Sequence, residues 1–189
     1  MPRKGKMLTV SNLARLSARG RAALGIAALL CIGVASATVA GCGSADPGVR
    51  PTTASRNFPL SDLQRDTIGY PGGQMMVYVM DTDPKRGEGM MYVQDAEFPI
   101  DRGMIFVYPD EQLRRFHGKN VWFILDLTFI AADGTVLEQK QMLPFVENPP
   151  VASDVRAKYV LETRGGYIYD IGVRPGTKLT IPDTIVAKE

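Results

Sequence analysis

Two acidic residues stand where this chain is otherwise most apolar. Asp126 interrupts Val121-Trp122-Phe123-Ile124-Leu125 and Leu127-Thr128-Phe129-Ile130, and Glu162 ends the run Tyr159-Val160-Leu161. On a strand, Asp126 shares a face with Trp122, Ile124, Thr128 and Ile130, because side chains alternate with period two. An ionised carboxylate buried there alone costs several kcal/mol, so each acid needs a partner or an opening. Read as chemistry, the two are convergent carboxylates available for general acid/base work. Read as structure, they are ion-paired or hydrogen-bonded to Arg86 or Lys119, since perturbed groups also serve structural networks.

The neighbouring polar residues offer less. Lys119-Asn120 follow a turn and precede the most apolar run; they would present an ammonium and an amide to an anionic or sugar-like ligand, or cap the turn. His117 is the chain's single histidine. One imidazole without a thiol cannot build a tetrahedral Cys/His zinc site, and no Gly-x-Ser-x-Gly elbow supplies a nucleophile. The methionines Met75, Met76, Met80, Met90, Met91, Met104 and Met142 could bind Cu(I), but their apolar settings suit core filling, and no metal is expected. Gly165-Gly166 and Gly87-x-Gly89 lack nucleotide-loop spacing and mark turns, so no cofactor is expected.

Strands must position these residues. Runs 75–80, 104–108 and 121–131 are apolar, β-branched or aromatic. Asp133-Gly134 between Leu127-Thr128-Phe129-Ile130 and Val136-Leu137 is a strong hairpin signal. Residues 158–162 and 178–181 add two strands. Helix signals are few: Thr82-Asp83-Pro84 offers a cap and an N-terminal proline, and 167–171 reads as a brief helix stopped by Gly172. The expected class is mainly β (α+β).

Several blocks, in order, resemble one family. Asp81-Thr82 through Arg86-Gly87-Glu88-Gly89-Met90-Met91, then Gly103-Met104-Ile105-Phe106-Val107-Tyr108, then Phe116-His117-Gly118-Lys119-Asn120-Val121 with Leu125-Asp126-Leu127 are similar to motifs of the domain of unknown function 192 family. Tyr159-Val160-Leu161-Glu162 with Gly166, and Gly172-Val173 to Gly176, continue the match across about residues 75–180. The resemblance implies a compact, barrel-like β domain with one or two short helices, often exported or membrane-tethered. It implies no activity, because the family has none established. His117-Gly118 stand where the motifs of that family have a Trp-Met pair.

The N-terminus speaks to address. Arg3, Lys4, Lys6, Arg15, Arg19 and Arg21 precede an apolar run, 24–40, too short to span a bilayer comfortably. Val39-Ala40-Gly41-Cys42 resembles the lipobox of bacterial lipoproteins, which implies cleavage after residue 41 and acylation of Cys42. Gly20 separates Arg19 from Arg21, so Sec export is expected; an uncleaved anchor is the alternative. Gly43 in place of Asp implies outer-membrane sorting in a Gram-negative host. The chain holds 22 Lys plus Arg against 20 Asp plus Glu. Loss of the six leader cations leaves 16 against 20, so the electrostatic basis for nucleic-acid binding disappears. Cys31 leaves with the leader, and no free thiol remains beyond Cys42.

The expected organisation is therefore a signal peptide at 1–41, a flexible tether at 42–57 in which residues before Asn57 lack packing contacts, a lead-in at 58–73 and one β domain at 74–189. The tether would have a coil dimension of roughly 20 Å. The expected function is that of a periplasmic or extracytoplasmic, membrane-anchored lipoprotein whose domain binds a small ligand or an envelope partner. A hydrolase- or isomerase-type enzyme using Asp126 and Glu162, with Lys119 or His117 stabilising charge, and a purely structural envelope protein are the alternatives. Arg86, His117, Lys119, Asn120, Asp126 and Glu162 are the candidate binding residues.

Overall fold

The computed structural model describes residues 55–188. The leader, Cys42 and most of the expected tether lie outside the described residues. Six strands form the main sheet: β1 (Arg65–Tyr70), β2 (Gly73–Met80), β3 (Arg102–Gln112), β5 (Leu125–Ile130), β6 (Val136–Met142) and β8 (Ala157–Arg164). Their order is β1-β2-β3-β8-β5-β6, with only β2 and β3 parallel. Two-residue strands β4 (Arg115–Phe116) and β7 (Val151–Ala152) pair separately. Helices α1 (Asp83–Glu88) and α2 (Tyr167–Asp170) are short.

Alternation sorts the core onto both faces of the sheet. One face carries Tyr78, Met80, Met104, Phe106, Leu125, Leu127, Phe129 and Val160 beneath Met90, Val93, Phe98 and Phe116. The other carries Val77, Val79, Ile105, Val107, Ile130 and Leu161 beneath Ile168, Val173, Leu179 and Ile185. Burial on both faces explains why β5 and the middle of β3 read as continuous apolar runs. The Asp133-Gly134 turn joins β5 to β6 as expected, with Gly134 at φ 87°. Met80, Met90, Met104 and Met142 pack in the first core.

Three expectations need correction. The sheet is not a closed barrel; it is open, and the C-terminal stretch 176–180 bonds to both of its edges. There, Thr180 exchanges backbone hydrogen bonds with Gly69 of β1, while Val136 N donates to Thr177 O and Leu179 N to Gly134 O. This strap holds the place of the strand expected at 178–181. The sheet also begins before Gln74, since β1 lies in the presumed lead-in, with Ile68 buried. As an edge strand it needs apolar residues on one face only, so Arg65-Asp66-Thr67 masked it; Pro71-Gly72 was the available turn signal. Finally, residues 121–124 form a loop, and the strand starts at Leu125.

Candidate functional site

β8 places Glu162 opposite Met104 on one side and Leu127 on the other, so its side chain enters the first core. It is 2% exposed, and Oε2 has no hydrogen-bond partner among the described residues. Desolvation pushes its pKa up to about 8, with the Arg56 guanidinium pulling weakly the other way. At neutral pH the group is a neutral carboxylic acid, a donor as well as an acceptor.

Glu162 lines a cleft of about 140 Å³ with Arg86, Tyr108, His117, Arg115 and an apolar wall that includes Met90, Met91, Val121 and Met142. Arg86 comes from α1, which Pro84 starts and Gly89 ends. One guanidinium nitrogen donates to Val107 O at 2.8 Å and another pairs with Asp83, while Nε is buried without a partner. The guanidinium lies 5.1 Å from the Tyr108 ring centroid, and Arg114 stacks on the same ring at 3.7 Å. Burial pushes the Tyr108 hydroxyl up to about 12 despite these cations. Two residues with an orphaned polar atom, a carboxyl oxygen on Glu162 and a guanidinium N–H on Arg86, therefore line one small cleft.

Arg56 was not foreseen. Nη1 donates to Gly89 O at 2.7 Å and Met91 O at 2.6 Å, and Nη2 lies 3.5 Å from Glu88 Oε2. Asn57 N and Phe58 N donate to the same carboxylate at 2.6 and 3.0 Å. The expectation that residues before Asn57 lack packing contacts therefore fails at Arg56, and Asn57 is fastened as well. Nothing local distinguishes Arg56 in a Ser- and Pro-rich stretch, because its partners lie more than 30 positions away.

The remaining candidates divide. His117 is exposed at the cleft. Lys119 contacts neither carboxylate; it pairs with Glu147 at 3.5 Å, both half exposed, an arrangement worth little. Asn120 holds a loop together: it sits at φ 52°, its Nδ2 donates to Tyr92 Oη at 2.8 Å, and its carbonyl accepts from Tyr92 N at 2.8 Å. Asp126 points to the opposite face from Glu162, since it stands opposite Thr163 and its neighbour Leu127 stands opposite Glu162. It is neither by Arg86 nor by Lys119. Instead it accepts from Gly166 N at 2.6 Å and Gln141 Nε2 at 3.1 Å, fastening the start of α2 to β5. Burial raises its pKa, and these hydrogen bonds oppose the shift. The pair of convergent carboxylates is not formed, because adjacent residues on paired strands face opposite sides. Among the described residues no group of His, Cys, Asp or Glu is arranged to hold a metal.

Two solved structures share the fold. One is a protein from Sinorhizobium meliloti 1021 provisionally described as a transcription regulator, with 27% identity, TM-score 0.56, and coverage of 62% of this chain and 93% of that one. The other is a protein of unknown function from Novosphingobium aromaticivorans DSM 12444, with 25% identity, TM-score 0.58, and coverage of 69% and 94%. No curated protein matches the chain. The model of DUF192, described as "Uncharacterized ACR", matches residues 67–181, a span that takes in β2 to α2, Arg86, Asp126, Glu162 and the closing strap. With more than half its length matched in this way, the chain belongs to the domain of unknown function 192 family.

Proposed function

We propose that this chain is an exported lipoprotein, anchored through acylated Cys42, whose β domain binds a small ligand in the Glu162 cleft. Export and anchoring rest on the basic leader, the apolar run and Val39-Ala40-Gly41-Cys42. Several acyl chains, at about 0.8 kcal/mol per buried CH₂, hold such a domain stably at a membrane.

The binding reading rests on one observation: Glu162 Oε2 is buried and unpartnered beside the cleft that Arg86 also lines. A buried polar atom without a partner costs roughly 1–3 kcal/mol, which a bound group would recover. Arg86 Nε–H needs an acceptor and a neutral Glu162 can donate, so the fitting group is an amide or carboxylate oxygen. At about 140 Å³ the cleft is smaller than the ~300–1,000 Å³ of drug-sized sites, so it suits a small molecule or one end of a larger one.

The test has two arms. Intact mass of the purified protein should show acyl chains on a mature N-terminal Cys42, and Cys42→Ala should leave the membrane fraction. For the cleft, acetamide and acetate should give saturable shifts of the Met90, Met91 and Met142 methyl resonances, with methylammonium as a silent control. Glu162→Leu should abolish the shifts. Methyl resonances that no probe moves, with Glu162→Leu simply raising the melting temperature, would make the carboxyl a packing defect and end the binding reading.

A further inference from the structure

Residues held in the left-handed backbone region without being glycine cost of order 1–3 kcal/mol each and cluster where structure serves a function. Here there are three among the described residues: Tyr92 at φ 64°, Asn120 at φ 52° and Phe145 at φ 61°. All three belong to one knot of loops. Tyr92 and Asn120 are joined by two hydrogen bonds of 2.8 Å. Phe145 N donates to Gly118 O, and Gly118 N to Val146 O, each at 2.7 Å. Asn120 and Gly118 lie on the same connection.

What the knot displays is apolar. Ile124 is 42% exposed, Leu143 53%, Phe145 55% and Val146 40%, half of the large hydrophobic residues exposed on the described surface. The Trp122 ring meets Phe145 edge-on, with centroids 5.0 Å apart. Scattered single apolar residues need no explanation, but a cluster on loops tied together by hydrogen bonds points to an interaction surface. Basic residues flank it: Arg115 and Lys119 are exposed on the same connection, and Glu147 is the acidic partner of the second.

The chain's own connectivity says what lies nearest. The first described residues reach the domain beside this knot, because Arg56 is bonded to Gly89 O and Met91 O, and the next residue, Tyr92, is bonded to Asn120. Only 12 residues lie between Cys42 and Ser55, a distance of at most about 45 Å even when fully extended. A lipid on Cys42 therefore keeps this end of the domain within reach of the bilayer. We propose that the loops carrying Trp122, Ile124, Leu143, Phe145 and Val146 dock on the lipid surface, resting their side chains at the headgroup–acyl boundary. Aromatic rings favour that depth, and the flanking Arg115 and Lys119 favour anionic headgroups. Docking of this kind would fix the orientation of a domain that the acyl chains alone leave free to turn. The proposal rests on acylation of Cys42 and is independent of the Glu162 cleft.

Trp122 is the chain's single tryptophan, which makes the test direct. The full-length lipoprotein is reconstituted into vesicles of phosphatidylcholine and phosphatidylglycerol, with acyl chains either plain or brominated at shallow positions. Docking predicts that Trp122 emission is quenched by the brominated chains. The double variant Leu143→Ser, Phe145→Ser should lose most of that quenching while keeping the acyl mass on Cys42 and flotation with the vesicles. A protein that floats, carries the acyl mass and emits equally from both vesicle types overturns docking and leaves the anchor standing. A protein without acyl mass overturns the anchor; docking then survives only if added vesicles still quench Trp122, and falls otherwise. Unquenched Trp122 together with Phe145-dependent dimers in sedimentation assigns the surface to a second copy and overturns the proposal.

Discussion

Glu162 and Asp126 show how two residues of one chemistry come to different ends. Asp126 has backbone and amide donors within 3.1 Å, so its charge is served by the fold. Glu162 has a hydrophobic wall and one distant cation, so its proton is retained to about pH 8. The sign of the consequence follows from linkage. Between the ordinary glutamate pKa and about 8 the folded state holds one more proton than the unfolded state, so stability falls as pH rises through that window and levels off above it. Glu162→Gln, which cannot ionise, should remove this contribution. Melting temperatures of the two proteins should nearly coincide at pH 5 and diverge in favour of the variant by pH 8.5. A wild-type advantage that grows with pH would mean that Glu162 is ionised and paired.

At the scale of elements, the segment entering the domain is part of its architecture. Arg56 and Glu88 have side chains only 7% and 5% exposed, and the pair fastens residues 56–58 to the C-terminal end of α1. Removing one member of a buried pair costs on the order of 3–5 kcal/mol. Glu88 keeps two backbone donors, so Arg56→Ala should fall near the lower limit, a drop of about 10 °C in a domain of this size. The variant also removes the cation that holds Glu162 down, so the pH dependence of stability should extend to higher pH. An Arg56→Ala protein that melts like wild type would show residues 55–58 to be a loose tail. The loop 117–123 depends on a similar fit, because Gly118 lies against the Leu143 carbonyl and any Cβ there would collide with it. That close approach gives a physical reason for glycine at position 118.

For the whole molecule, the decisive feature is how an open sheet manages its edges. Unpaired edges template aggregation, and here the strap at 176–180 satisfies groups on both. Gly134 is where the strap presses closest: it sits at φ 87°, and a side chain would strike Leu179 O. Gly134→Ala combines a strained backbone with that collision. The expected loss is about 2–4 kcal/mol, with faster amide exchange at Gly69, Val136 and Leu179 and a greater tendency to aggregate on heating. Unchanged exchange at those three amides would show that the strap is not what secures the edges.

Local residue order was enough for the mainly β class, the Asp133-Gly134 hairpin, the short helices near Pro84 and Gly172, and the motif order of the family, because each depends on neighbours in the chain. It also marked Glu162 and Asp126 as anomalous, since a charge among apolar residues is visible without a fold. The faces they occupy were not visible in that way. Side chains alternate, so a shift of one residue between β5 and β8 decides whether two acids meet or turn their backs, and register is a property of paired strands. The same holds for Arg56 with Glu88 and for the strap with both sheet edges: their partners are far along the chain, and only tertiary packing brings them together.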